Sequence, residues 1–71
     1  MTSEEATKHK LRQIRDMYMV MGTPFNEDYE WGFYNGVEIA LAMLEERPAF
    51  YIDKEGKHNP QDIANYPEYF L

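Results

Sequence analysis

Seventy-one residues without a cysteine make one small domain, which excludes disulfides, thiolate metal sites and thiol redox chemistry. Aromatics at 15% and five Met exclude a disordered chain, since each large aromatic can bury about 150–250 Å². The net charge of -6 is uneven, with four bases against three acids in residues 1–22 and ten acids against three bases in residues 23–71, which argues against duplex DNA as the main ligand.

The opening Met1-Thr2-Ser3-Glu4-Glu5 is acidic and polar, unlike a signal peptide, and the longest apolar run, Met17 to Met21, is far below the ~20 residues that span a bilayer. A soluble, cytoplasmic protein is the expectation. Thr2 or Ser3 caps a first helix predicted over about residues 4–21, with the acid of a capping box at Glu5. Its apolar stripe is Leu11, Ile14, Tyr18 and Met21, and Gly22 offers a stop. Met17-Tyr18-Met19-Val20-Met21 is apolar on every side, so this end should be covered on more than one face, by other parts of the chain or by a second subunit.

After Thr23-Pro24, Asn26-Glu27-Asp28 opens a second helix predicted over about residues 27–46. Phe33, Val37, Ala40, Leu41 and Leu44 form its predicted inward stripe, and Glu38, opposite part of it, is assigned to solvent in preference to a half-buried place. Gly32, Gly36 and Ala40 line up at i, i+4 and i+8. Each mid-helix glycine costs about 1 kcal/mol relative to Ala, and close approach of another backbone would offset it. Packing on the first helix is the simplest source of that backbone, and a homodimer seam is the other. Arg47-Pro48 ends the helix. Ala49 to Ile52 is β-prone, Asp53-Lys54-Glu55-Gly56 reads as a turn, and Pro60 soon breaks the return arm, so a hairpin and a single docked extended arm are both open. Asn59 starts a last helical turn, and Tyr66-Pro67-Glu68-Tyr69-Phe70-Leu71 is too aromatic for a solvated tail. The predicted fold is mainly α: one domain over residues 1–71, an antiparallel two-helix hairpin with a short extended or β-turn arm and an aromatic C-terminal tail packed back.

Catalytic signatures are missing: no phosphate-binding glycine loop, no HExxH and a single serine, Ser3, at the frayed start. No catalytic residue, metal ligand or cofactor is therefore assigned. His9 sits between two lysines and His58 is remote from it. Asp53 to Gly56 is not a calcium loop, because glycine falls at position four and Ala64 holds position twelve. Two surfaces invite binding. Lys8, Arg12 and Arg15 share a helix face at i, i+4 and i+7, suited to an anion or to pairing with the acids of the second helix. Met19, Trp31, Tyr34, Tyr69 and Phe70 offer aromatic and apolar groups to a partner.

The stretch from Trp31 through Gly32-Phe33-Tyr34-Asn35-Gly36-Val37-Glu38 to Arg47-Pro48 resembles a segment of small uncharacterised tailed-bacteriophage accessory proteins. These share a glycine-bearing helix that ends in Arg and Pro and is followed by an aromatic. Glu46 here stands where a glycine often precedes the Arg. The resemblance covers about a quarter of the chain and carries over no catalytic or binding residue. It implies a virally encoded protein of the bacterial cytoplasm that binds, and commonly inhibits, a host protein. With the absent catalytic apparatus, that gives the leading expectation: a non-enzymatic inhibitor-type binder of a bacterial protein, itself a candidate homodimer. A binder of nucleotide-like anions and an acidic DNA mimic are the alternatives.

Overall fold

The computed structural model describes residues 2–20 and 22–70. Helix α1 spans Ser3–Arg15, and the Oγ1 of Thr2 accepts the Glu5 amide at 3.1 Å, the cap predicted from the sequence. The helix is shorter than predicted. It tightens into a 3₁₀ turn at Asp16–Tyr18, and by Met19 the backbone is extended. Gly22, at φ 77, turns a loop instead of capping a helix, and Met21 of the predicted stripe lies outside the described residues.

Helix α2 spans Asp28–Glu45, with Glu27 at its N-cap position and no side-chain cap. It ends at Glu46, whose φ of 53 and ψ of 46 are left-handed, before Arg47-Pro48 leads the chain away. Pairings along the two helices run in opposite senses: Arg12 meets Glu45, Arg15 meets Glu38, and Tyr18 packs on Phe33 and Tyr29. The hairpin is therefore antiparallel, and α1 and α2 pack against each other. No described helix is long and apolar enough to cross a membrane.

The arm is intermediate between the two forms open to the sequence. Ile52 and His58 make a single antiparallel bridge, and the Asp53 amide donates to the Lys57 carbonyl at 2.9 Å. Asp53 Oδ1 accepts the amides of Glu55 and Lys57, and Gly56 takes φ 78 against the carbonyl of Thr23. The Phe25 amide donates to Lys54 O, which ties the turn to the loop before α2. Asn59 caps α3 (Pro60–Asn65) through the Gln61 amide, with Pro60 in the first helical position. A 3₁₀ turn at Pro67–Tyr69 then brings Tyr66, Tyr69 and Phe70 onto the ring of Phe50, at centroid distances of 5.5, 5.3 and 5.0 Å. The aromatic tail does pack back.

The centre of the molecule is Phe25, Tyr34 and Ile52, flanked by Met19 and Trp31. From α2 the buried residues are Glu30, Tyr34, Glu38, Leu41 and Ala42. Relative to the predicted stripe the helix is turned about a quarter of a revolution at 100° per residue. Leu41 stays inside, Phe33 and Val37 are half-buried, and Ala40 and Leu44 face solvent. Glu38 reverses its expected place and is 1% exposed. The apolar end of the first helix is likewise largely uncovered among its described residues: Met17 and Val20 are exposed, and of these residues only Met19 reaches the core.

Candidate functional site

Two features arise from that rotation of α2, one polar and inside, one apolar and outside. The inner one centres on Glu38. Its Oε1 accepts Arg15 at 2.7 Å and Arg47 at 3.1 Å, and its Oε2 accepts Arg47 at 2.6 Å and the Phe50 amide at 2.8 Å. Arg47 is thus bidentate, the geometry in which guanidinium and carboxylate match best. The charges extend outward: Arg47 also reaches Glu45, Glu45 pairs with Arg12, and Arg15 pairs with Asp16. The guanidinium of Arg15 lies 5.4 Å from the centre of the Tyr34 ring, and Arg47 sits as close to Phe50.

Burial alone would raise the Glu38 carboxyl, but the donors of Arg47, Phe50 and Arg15 outweigh it and hold the group below its ordinary value. Arg47 is pushed up in turn, first by its bond to Glu38. Beside this cluster lies a hollow of ≈ 240 Å³, lined in part by Arg12, Arg15, His58 and Tyr69. His58 Nδ1 is buried there without a hydrogen-bond partner, its ring edge-on to Phe70 at 4.9 Å, and burial lowers its pKa.

This chemistry ties the fold together and leaves little charge for a ligand. Arg12 and Arg15 are each held by a carboxylate, and Lys8 pairs with Glu4 at 3.3 Å, so the three do not converge on an open anion site. Pairing with the second helix, the other option read from their spacing, is what Arg12 and Arg15 do. DNA mimicry by the acids of α2 fits no better. Glu30 and Glu38 are buried and Glu45 is held by two arginines, so they form no exposed row. Among the described residues, no three His, Asp or Glu side chains gather as a metal site requires.

The predicted contact residues scatter between core and surface. Tyr34, 3% exposed, is a core residue and is withdrawn as a contact. Trp31 is half-buried, its Nε1 donating to the Ile52 carbonyl at 2.8 Å, while Asn35 both donates to that carbonyl and accepts the Ile52 amide. Met19 packs on the core, Phe70 is half-buried on Phe50, and Tyr69 alone of the five is well exposed. Leu71, in the same predicted tail, lies outside the described residues.

The outer feature is the solvent side of α2. At 100° per residue, Tyr29, Gly32, Phe33, Gly36, Ile39, Ala40, Met43 and Leu44 occupy about 140° of its circumference, and none is charged. Tyr29 is 65% exposed, Met43 76%, Ile39 44% and Leu44 41%. Tyr18, edge-on to Tyr29 and Phe33, extends the surface at one end. A Cβ added at Gly32 or Gly36 would meet nothing within 4 Å. The expected packing of this glycine line on the first helix is therefore wrong, because α1 lies on the Glu38–Glu45 side instead. The sequence showed the small residues but not their direction, which the buried Glu38 sets.

No protein family, curated protein or solved structure matches the chain.

Proposed function

We propose that this protein is a non-catalytic protein-binding module that docks through the outer face of α2. The observation that carries the reading is the inversion of that helix, which keeps Glu30, Glu38 and Glu45 on its inner side and turns Tyr29, Ile39 and Met43 to water. Contiguous apolar patches beyond a few hundred Å² are uncommon on monomers and mark interaction sites. Interface centres are depleted of charge and enriched in aromatics and Met, which is the composition of this face. The likeness of residues 31–48 to tailed-phage accessory proteins supplies the setting: a bacterial cytoplasm and a host protein whose activity the module inhibits by occupying its surface.

The test is a tagged capture from bacterial lysate with the wild type and with Met43→Glu, which places a charge on the most exposed large side chain of the face and leaves the core untouched. A stoichiometric partner retained by the wild type and lost by the variant is expected. Equal capture by both refutes docking through α2.

A further inference from the structure

We infer that the outer face of α2 is closed by a second copy of this chain, the two α2 helices running antiparallel about a two-fold axis at Gly36. The inference rests on the reading of that face as an interface and names its occupant.

The first argument is self-complementarity. A two-fold axis at Gly36 sets Tyr29 level with Met43 and Gly32 level with Ala40, Gly36 on itself, and brings each copy's Phe33 along one flank and each copy's Ile39 along the other. Small residues meet at the middle, where backbones must approach, and large apolar ones meet at both ends and along the flanks. That is the pattern of an isologous interface, in which one patch recognises its own copy. The opposed helix dipoles favour the antiparallel sense.

Area supplies the second argument. With Gly32, Gly36 and Ala40 between them, Tyr29, Ile39, Met43 and Leu44 expose roughly 500 Å², so two copies would bury about 1,000 Å², the lower bound of a specific interface. Against a total surface of 5063 Å², this is the share that a small protein commits to a partner.

Charge is the third. Copies carrying a net charge of -6 repel each other over most of their surface, and this stripe lets them meet without bringing acids together. It offers a charged partner no counter-charge, whereas it offers its own copy a matching shape. A second copy and a host protein then compete for one face.

Sedimentation equilibrium tests the pairing across micromolar to millimolar concentrations. The wild type should pass from 8.5 kDa to twice that mass with concentration, and added salt should strengthen the association by screening repulsion. Gly36→Gln and Met43→Glu should each weaken it by about tenfold or more. Both variants should still fold, because Gly36 faces open space and Gln is the better helix former; circular dichroism checks this. A mass of 8.5 kDa up to roughly 1 mM overturns the self-pairing, as does a dimer that neither substitution affects. A monomer that captures a host protein through Met43 overturns the pairing and leaves the docking reading standing. A monomer whose Met43→Glu variant captures the same proteins as the wild type overturns both.

Discussion

Replacing Glu38 by Gln keeps the side chain's shape and removes its charge. Each carboxylate oxygen receives two donors, Arg15 and Arg47 at one and Arg47 and the Phe50 amide at the other. Whichever way the amide is turned, its NH₂ faces two donors and can accept neither. Breaking a buried pair while leaving the partner's charge in place costs about 3–5 kcal/mol. Gln keeps one acceptor, so a loss of about 3 kcal/mol is expected, which for a domain of this size lowers Tm by roughly 12–24 °C. Urea titration followed by Trp31 fluorescence reads it, because the indole is bonded to Ile52 and changes environment on unfolding. The pH dependence gives an independent check. The folded carboxyl sits below its ordinary 4.5, so the stability it contributes is fully present above 4.5 and is lost as pH falls through the folded value. Glu38→Gln should remove that part of the acid limb. A loss under about 0.5 kcal/mol, the size of an ordinary surface change, would refute the view that this carboxylate organises the fold.

Two further outcomes follow from local geometry. Glu46 holds a left-handed conformation at φ 53, which a side chain with a Cβ adopts at a cost, so Glu46→Gly should gain about 0.5–1 kcal/mol in thermal or urea unfolding. The second concerns His58, whose pKa is lowered from 6.5 by burial. The stability it contributes is present above 6.5 and declines as pH falls below that value, and His58→Leu should flatten the stability profile between neutral and mildly acid pH.

Local signals in the sequence were reliable where the physics is local. Thr2 and Asn59 cap the helices expected of them because a hydroxyl or amide oxygen one turn before a free amide bonds it regardless of the rest of the chain. Asp53 to Gly56 turns for the same reason, through the Asp53 carboxylate and the positive φ of Gly56. The tail was legible from composition, since three aromatics in six residues gather on Phe50. The rotation of α2 was not. Apolar periodicity assigned Phe33, Val37, Ala40 and Leu44 to the core because it scores Glu38 as solvent-seeking. Two arginines distant in sequence make that glutamate the most enclosed polar group of the helix. Nothing at positions 15 and 47 says which acid they will bind until the hairpin brings them together.

The same rotation accounts for the apolar outer face of α2. If α2 turned by the missing quarter revolution, Leu44 and Ala40 would gain cover and the molecule would present glutamates to water, as an independent monomer should. Two interactions oppose that turn. Glu38 would lose four hydrogen bonds, and Tyr34 and Ala42 would leave the core. The fold therefore secures α2 through its charged side, and α3, the short third helix, makes no contact with α2 to cover the other. The apolar side, with two glycines whose helical cost no described contact offsets, is left facing solvent, and the proposed dimer would cover it. Substituting Gly36 separates the two accounts of those glycines. If they only burden a monomer, Gly36→Gln gains stability and changes nothing else; if they let a second backbone approach, the same gain in helix stability comes with loss of the dimer.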